Sequence, residues 1–234
     1  MSKADLRLDW CSYQAAKWAV EHWHYSKRMP SGKLVKIGVY ERGEFIGVVL
    51  FGWGATSALV KAYGLKQTQG AELVRVALKQ HESTVSRIVS IALKMLKKEM
   101  QGLRLVVSFA DPDQSHVGGI YQAGGWFYCG MSQASDEYIV NGRRYQGRSF
   151  RNSFGGLEYD QRGTIVKGSS KYRYLYPLDD AMRQQIEPLR KPYPKRVPRG
   201  SGEIDNAADT NLQTGGARPT DPLSSIDAAQ GLQS

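Results

Sequence analysis

Four short runs in this 234-residue sequence gather side chains able to move protons or hold anions. The first, His22-Trp23-His24-Tyr25-Ser26, sets a base, a phenol and a hydroxyl at the end of an apolar-periodic segment. Facing the loop from Arg28 to Gly32, that trio suits hydrogen bonding to a nucleobase or general acid–base work. A histidine at a helix C-terminus also serves simply to complement the dipole. The second, Glu72-Leu73-Val74-Arg75, puts a charge where strand alternation expects an apolar residue. Arg75 either lies on an exposed face or points inward to position a phosphate or carboxylate.

The third run, Ser108-Phe109-Ala110-Asp111, closes the most apolar strand-like segment, at the strand end where open α/β sheets bind ligands. Pro112 follows, so Asp111 is equally suited to starting a turn. In the fourth, His116-Val117-Gly118-Gly119-Ile120-Tyr121, paired glycines open a helix and permit close backbone approach to an anion, or close packing alone. His24, Asp111 and His116 are also the ligand types of a two-histidine, one-carboxylate iron site, although their separation has no spacing signature. Hydrolysis is disfavoured, because no G-x-S-x-G nucleophile elbow occurs.

The elements that must position these residues alternate between α and β. Leu6, Leu8 and Trp10 mark a first strand, and Ser12 caps a helix carrying Ala16, Ala19, Val20 and Trp23 on one face. Residues 33–40 and 44–51 form a hairpin turning at Arg42-Gly43, and 72–78 form a further strand. Ser83 or Thr84 caps a helix lined by Val85, Ile88, Val89, Ala92 and Leu96. A strand (103–109), a short helix (117–123), a strand (126–131) and a last ordered run (171–178) with a helix (178–189) complete the body. Residues 132–170 are polar, basic and Gly-rich, and read as a hairpin or a mobile loop over a site. This order is that of a GNAT-like acyltransferase fold, an α/β fold with a mixed central sheet and helices on both faces. A GNAT-like catalytic domain is expected over residues 1–190 and a disordered tail over 191–234.

Composition narrows the class. A 41% hydrophobic chain can bury one good core, and no stretch approaches the roughly 18 apolar residues of a membrane span. Cys11 and Cys129 stand far apart, which speaks against a disulfide framework and for a reducing, cytoplasmic setting. Net charge is +10. In the tail Lys191, Lys195, Arg196, Arg199 and Arg218 balance Glu203, Asp205, Asp209, Asp221 and Asp227, so the surplus sits on residues 1–190. A positive body attracts nucleic acid by counterion release.

Taken as an ordered set, the motifs resemble the Mom family of Mu-like phages. The resemblance runs from Asp9-Trp10-Cys11 through His22-Trp23-His24-Tyr25-Ser26, Met29-Pro30-x-Gly32-Lys33 and Gly47-Val48-Val49-Leu50-Phe51-Gly52 to Glu72-Leu73-Val74-Arg75-Val76-Ala77-Leu78. It continues through Ser108-Phe109-Ala110-Asp111 and His116-Val117-Gly118-Gly119-Ile120-Tyr121-Gln122 to Lys171-Tyr172-Arg173-Tyr174, spanning about residues 5–178. It implies a GNAT-like fold, conversion of adenine in double-stranded DNA to carbamoylmethyladenine in the host cytoplasm, and protection of phage DNA from restriction endonucleases. It marks His24, Tyr25, Arg75, Asp111 and Tyr121 as the functional set, with His24, Tyr25, Asp111 and Tyr121 catalytic. Arg75, Ser86, Arg87, Ser108, Gly118 and Gly119 are candidates for holding the donor or its phosphate, and Arg28, Lys33, Lys171 and Arg173 for holding DNA. Trp23, Tyr25 or Trp53 would stack on a base taken out of the duplex.

One departure bears on the donor. Acetyltransferases hold coenzyme A pyrophosphate on a glycine-rich loop after the strand, whereas here residues 79–87 contain no glycine. Acetyl-CoA remains a candidate, through helix-terminal amides with Ser86 and Arg87. Building carbamoylmethyl from acetate would need an oxidation and a nitrogen source, which is what makes bound iron attractive. An activated glycine such as glycyl-tRNA needs neither, and GNAT-like folds include users of aminoacyl-tRNA. Other readings are an ordinary GNAT acetyltransferase acting on a protein or small amine, and a non-catalytic DNA-binding protein.

Overall fold

The computed structural model describes residues 5–53, 58–114, 116–154 and 164–195. Strand β1 (Leu6–Trp10) leads into helix α1 (Tyr13–Trp23), whose N-cap Ser12 accepts the Ala15 amide through its hydroxyl at 3.1 Å. The hairpin β2 (Leu34–Glu41) and β3 (Glu44–Gly52) turns at Arg42-Gly43. Both turn residues have positive φ, +54° and +80°, the backbone of a primed turn that matches strand twist. A short helix α2 (Ala58–Lys61) precedes β4 (Gly70–Leu78), and the long helix α3 (Val85–Glu99) connects it to β5 (Leu105–Ala110). Then come α4 (Gly119–Ala123), β6 (Phe127–Met131), β7 (Asp136–Val140), β8 (Arg143–Gln146), α5 (Gly147–Phe154), β9 (Thr164–Lys167), β10 (Tyr172–Pro177) and α6 (Asp180–Ile186).

Seven strands make one mixed sheet in the order β1-β2-β3-β4-β5-β10-β6, with β4 and β5 the parallel pair. This is the mixed central sheet with helices on both faces expected from the element order. Alternate residues face opposite sides. Val49, Phe51, Leu73 and Val106 pack with Ile88, Ala92 and Leu96 of α3, whereas Val48 and Leu50 meet Ala16, Ala19 and Val20 of α1. Leu105, Val107 and Leu175 pack with Met182 and Ile186 of α6 on that second side. None of the described helices is long and apolar enough to cross a membrane.

Two features depart from the sequence expectation. Residues 132–170 contain a second, three-stranded sheet in the order β8-β7-β9 together with α5, more than a hairpin. Residues 191–195, expected in the tail, lie along β6: the Lys191 amide donates to the Tyr128 carbonyl and the Tyr193 hydroxyl to the Trp126 carbonyl, both at 2.8 Å. This strap covers what would otherwise be an open sheet edge. The rest of the tail, 196–234, lies outside the described residues.

Candidate active site

The parallel pair comes apart. β4 and β5 are in register only at Gly70↔Leu105, Ala71↔Val106 and Glu72↔Val107. Beyond Glu72 the ladder stops, and in β4 the register with β3 jumps from Leu50↔Arg75 to Phe51↔Leu73, a bulge at Val74. A bulge twists and bends its strand, so β4 leans away from β5 and a fork opens toward their carboxyl ends. The extra residue also resolves the puzzle of Arg75. Its strand partner Leu50 faces α1, so Arg75 points to the α1 side and is half-buried there.

Inside the fork the Ser108 hydroxyl, fully buried, lies 2.9 Å from the Leu73 carbonyl and 2.8 Å from the Tyr121 hydroxyl. A carbonyl only accepts, so the serine proton goes to Leu73 and Tyr121 donates to the serine oxygen. Tyr121 is held by ring contacts to Trp126 and Tyr174, at 5.1 and 4.9 Å. On the α1 side, Arg75 donates from Nη1 to the Val74 carbonyl at 2.7 Å, while its Nε is buried with no partner. Burial holds the Arg75 guanidinium below its ordinary pKa, against the opposing pull of Tyr25 and Glu72.

His24 is the C-cap of α1 and is 4% exposed, whereas Tyr25 next to it is 37% exposed. The Tyr25 ring lies 4.3 Å from that of His24 and 6.1 Å, edge on, from that of His116. The Ser26 amide donates to His24 Nδ1 at 3.1 Å, with the Ser26 hydroxyl 2.8 Å from the same nitrogen. Because an amide can only donate, Nδ1 is the acceptor and the neutral ring keeps its proton on Nε2. His22, by contrast, bonds through Nδ1 to the Trp18 carbonyl at 2.8 Å and stacks on the Trp18 ring, satisfied on its own helix.

Asp111 follows β5 directly. Its carboxylate accepts the Asp113 amide at 3.1 Å and pairs with Lys171 at 3.1 Å, and its side chain is 19% exposed. It therefore starts a turn, as one sequence reading had it, and also presents a charged group at the mouth of the fork. The carboxyl end of β5 thus brings Ser108 to Tyr121 and Asp111 to Lys171, while on the α1 side Tyr25 lies beside His24, His116 and Arg75. A model of the Mom protein family matches residues 5–195. The chain belongs to that family. It is 25% identical over 204 residues to "Methylcarbamoylase mom" of Escherichia phage Mu, covering 82% of this chain and 84% of the relative. Among solved structures it is similar to a Bacillus subtilis acetyltransferase in complex with CoA (14% identity, TM-score 0.41, 75% of this chain and 99% of that chain). It is also similar to a spermidine N-acetyltransferase from Vibrio cholerae in complex with CoA and spermine (9% identity, TM-score 0.41, 74% and 95%).

Several expected site residues have other duties in this Mom-family fold. Among the described residues no three His, Cys, Asp or Glu side chains are grouped to hold a metal ion, so His24, Asp111 and His116 do not form the expected iron set. A metal on His24 Nε2 would also need the proton moved to Nδ1, which the Ser26 amide already occupies. Gly118, in the left-handed region at φ +80°, has its reason in packing: an added Cβ would lie 2.3 Å from the Tyr174 ring. Gly119 opens α4, which is five residues long. Lys171 is paired with Asp111, and Arg173 donates to the Cys129 carbonyl at 3.0 Å, so neither projects freely for DNA, whereas Arg28 and Lys33 are exposed.

The turn before α3 is tied down by the protein itself. The Glu41 carboxylate, buried at the end of β2, accepts the Glu82 amide at 2.8 Å and the Ser83 amide at 2.9 Å. Burial pushes the Glu41 pKa up, but the two amides outweigh it and hold the carboxyl below its ordinary value. Ser86 bonds weakly to Thr84, at 3.4 Å between hydroxyls, and the Arg87 amide donates to the Thr84 carbonyl at 3.0 Å. Thr84 is the N-cap expected, but its side chain makes no capping bond. The sequence reading missed Glu41 because nothing local distinguishes a carboxylate at a hairpin from a solvated one. Its partners lie 41 and 42 residues away.

Proposed function

We propose that this chain is a transferase that modifies adenine in double-stranded DNA, leaving a carbamoylmethyl group on the exocyclic amine and so shielding phage DNA from restriction endonucleases. The observation that carries this reading is the placing of Tyr25 with Arg75 and His116 on the α1 side, and of Asp111 and the Ser108–Tyr121 pair at the carboxyl end of β5, in a chain of the Mom family. The phage Mu relative's name, a methylcarbamoylase, supports the group transferred.

Paired adenine is out of reach of such a fork, so the base leaves the stack. Tyr25 is the ring that receives it. Trp23 packs against Trp18 and Phe45, and Trp53 against the main core, so neither is available at the mouth. The exocyclic amine is a poor nucleophile because its lone pair is spread into the purine. Attack on an acyl carbonyl therefore needs the carbonyl polarised and the amine proton removed. Arg75, whose buried Nε has no acceptor, polarises the carbonyl. Asp111 takes the amine proton, with Lys171 offsetting its charge. Tyr121, donating to Ser108 at rest, supplies the proton to the leaving oxygen.

The donor is an activated glycyl ester. Its ester bond breaks as the adenine amine bonds to the glycyl carbonyl, and the released alcohol takes a proton. The glycyl amine then attacks the purine carbon bearing the new amide through a five-membered ring, and the original carbon–nitrogen bond breaks. The glycine nitrogen stays on the ring, and the former exocyclic nitrogen becomes the terminal amide. No electrons are gained or lost, and the glycine-free turn before α3, where Glu41 holds the Glu82 and Ser83 amides, speaks for a donor not held as coenzyme A. Cells expressing the protein and fed doubly carbon-labelled glycine should yield modified deoxyadenosine carrying both labelled carbons. Label arriving from acetate, with none from glycine, would overturn the donor assignment.

A further inference from the structure

The insertion between β6 and β10 carries a small sheet of its own. Its root is tied to the fork: the Ser169 hydroxyl donates to Asp113 at 2.5 Å, Lys171 pairs with Asp111, and the Gly168 amide donates to the Ser135 carbonyl at 2.8 Å. In that sheet β7 is the middle strand, paired with β8 on one side and with β9 on the other, and the β7–β8 turn, Asn141-Gly142, has φ +50° and +74°. The small sheet has its own aromatic core. Tyr138 stacks on Phe150 at 4.3 Å, and Phe154 meets both Phe150 and Tyr145. Residues 143–154 contain Arg143, Arg144, Arg148 and Arg151 and no acidic residue. Arg143 and Arg144 stand exposed beside the tip, and Arg144, 64% exposed, reaches Glu137 only at 3.6 Å.

We propose that this small sheet is a DNA-gripping wing that sets Arg143 and Arg144, beside the β7–β8 turn, on the phosphate backbone flanking the base drawn into the fork. The proposal rests on the reading of DNA adenine as substrate. Guanidinium groups exposed at a turn meet backbone phosphates through charge and paired hydrogen bonds, and each contact releases counterions from the duplex. A wing with its own packed core needs little ordering on binding, so its arginines meet phosphates at low entropic cost.

The test is duplex DNA binding across a salt series by fluorescence anisotropy, for the intact protein and for Arg143→Ala/Arg144→Ala. Both arginines are exposed and outside the aromatic core, so the variant should melt with the intact protein. A single Arg143→Glu variant gives a second reading of the same tip. The wing predicts about tenfold weaker DNA binding at physiological salt and a log–log salt slope shallower by about 1.8, two phosphate contacts at about 0.9 each. Unchanged DNA affinity and slope would overturn the wing. If the intact protein modifies DNA and the double variant matches it in binding, the wing alone falls. If the intact protein neither binds nor modifies DNA, the substrate reading falls with it.

Discussion

Tyr121 concentrates the chemistry of the fork in one phenolic proton. It is buried, packed between Trp126 and Tyr174, and its hydroxyl meets a serine that is itself anchored on the Leu73 carbonyl. Tyr121→Phe keeps the ring and removes only that proton source. Modification should fall about a hundredfold, in the range of lost acid catalysis, while stability changes by about 1 kcal/mol, the net worth of one hydrogen bond. Modification counts per adenine and a thermal melt, taken together, check it. An unchanged modification level would remove Tyr121 from the mechanism. Gly118→Ala should behave oppositely. With φ at +80° and the new methyl driven into the Tyr174 ring, it should cost about 2 kcal/mol or more, read as a lower denaturation midpoint, with activity lost only in proportion to unfolding.

Elements were legible wherever one face alternates or repeats. The β2–β3 hairpin, α1 with its Ser12 cap and the apolar stripe of α3 all stand as the periodicity implies. The fork was not legible. It depends on where two strands separated by a helix stop pairing, and on a bulge at Val74 that appears in the sequence only as a charge out of phase at Arg75. The small sheet was hidden because its core is four aromatic rings divided among two strands and a helix, too few per segment to set a period. The site residues themselves were readable as types. Their duties were not, since a tautomer at His24 or an occupied amide pair at Glu41 follows from contacts.

At the same scale, two carboxylates tie elements together: Glu41 joins β2 to the turn before α3, and Asp179 caps α6 while taking both Arg104 nitrogens at 2.8 and 2.9 Å. The Arg104 bonds hold the Asp179 carboxyl below its ordinary value, and the amides do so for Glu41. A carboxyl depressed in the folded state contributes its stability fully above the unfolded values, 4.5 for Glu41 and 3.8 for Asp179. That contribution is lost as pH falls through the lower native values. Asp179→Asn should therefore lower the melting temperature at neutral pH and leave a smaller further drop on acidification than the intact protein shows. An identical acid limb in both would contradict the linkage. The glycine-free turn before α3, held by Glu41, makes a separate prediction: titration calorimetry with acetyl-CoA should give no binding in the micromolar range. A tight, saturable heat would return coenzyme A to the site.

Across the whole molecule, charge and architecture point the same way. The surplus of +10 lies on residues 1–190, the tail being balanced, and the wing and the fork open at the same end of the sheet. A duplex drawn to that surface would present a base to Tyr25 while the wing holds the flanking backbone, so binding should weaken steeply with salt. The measurement that bears most directly on this account is nucleoside mass spectrometry of plasmid DNA from cells expressing the intact protein, beside Asp111→Ala at matched abundance. Deoxyadenosine carrying the carbamoylmethyl mass should appear with the intact protein and vanish with the variant. Unmodified nucleosides from cells rich in folded, intact protein would contradict the account at its centre.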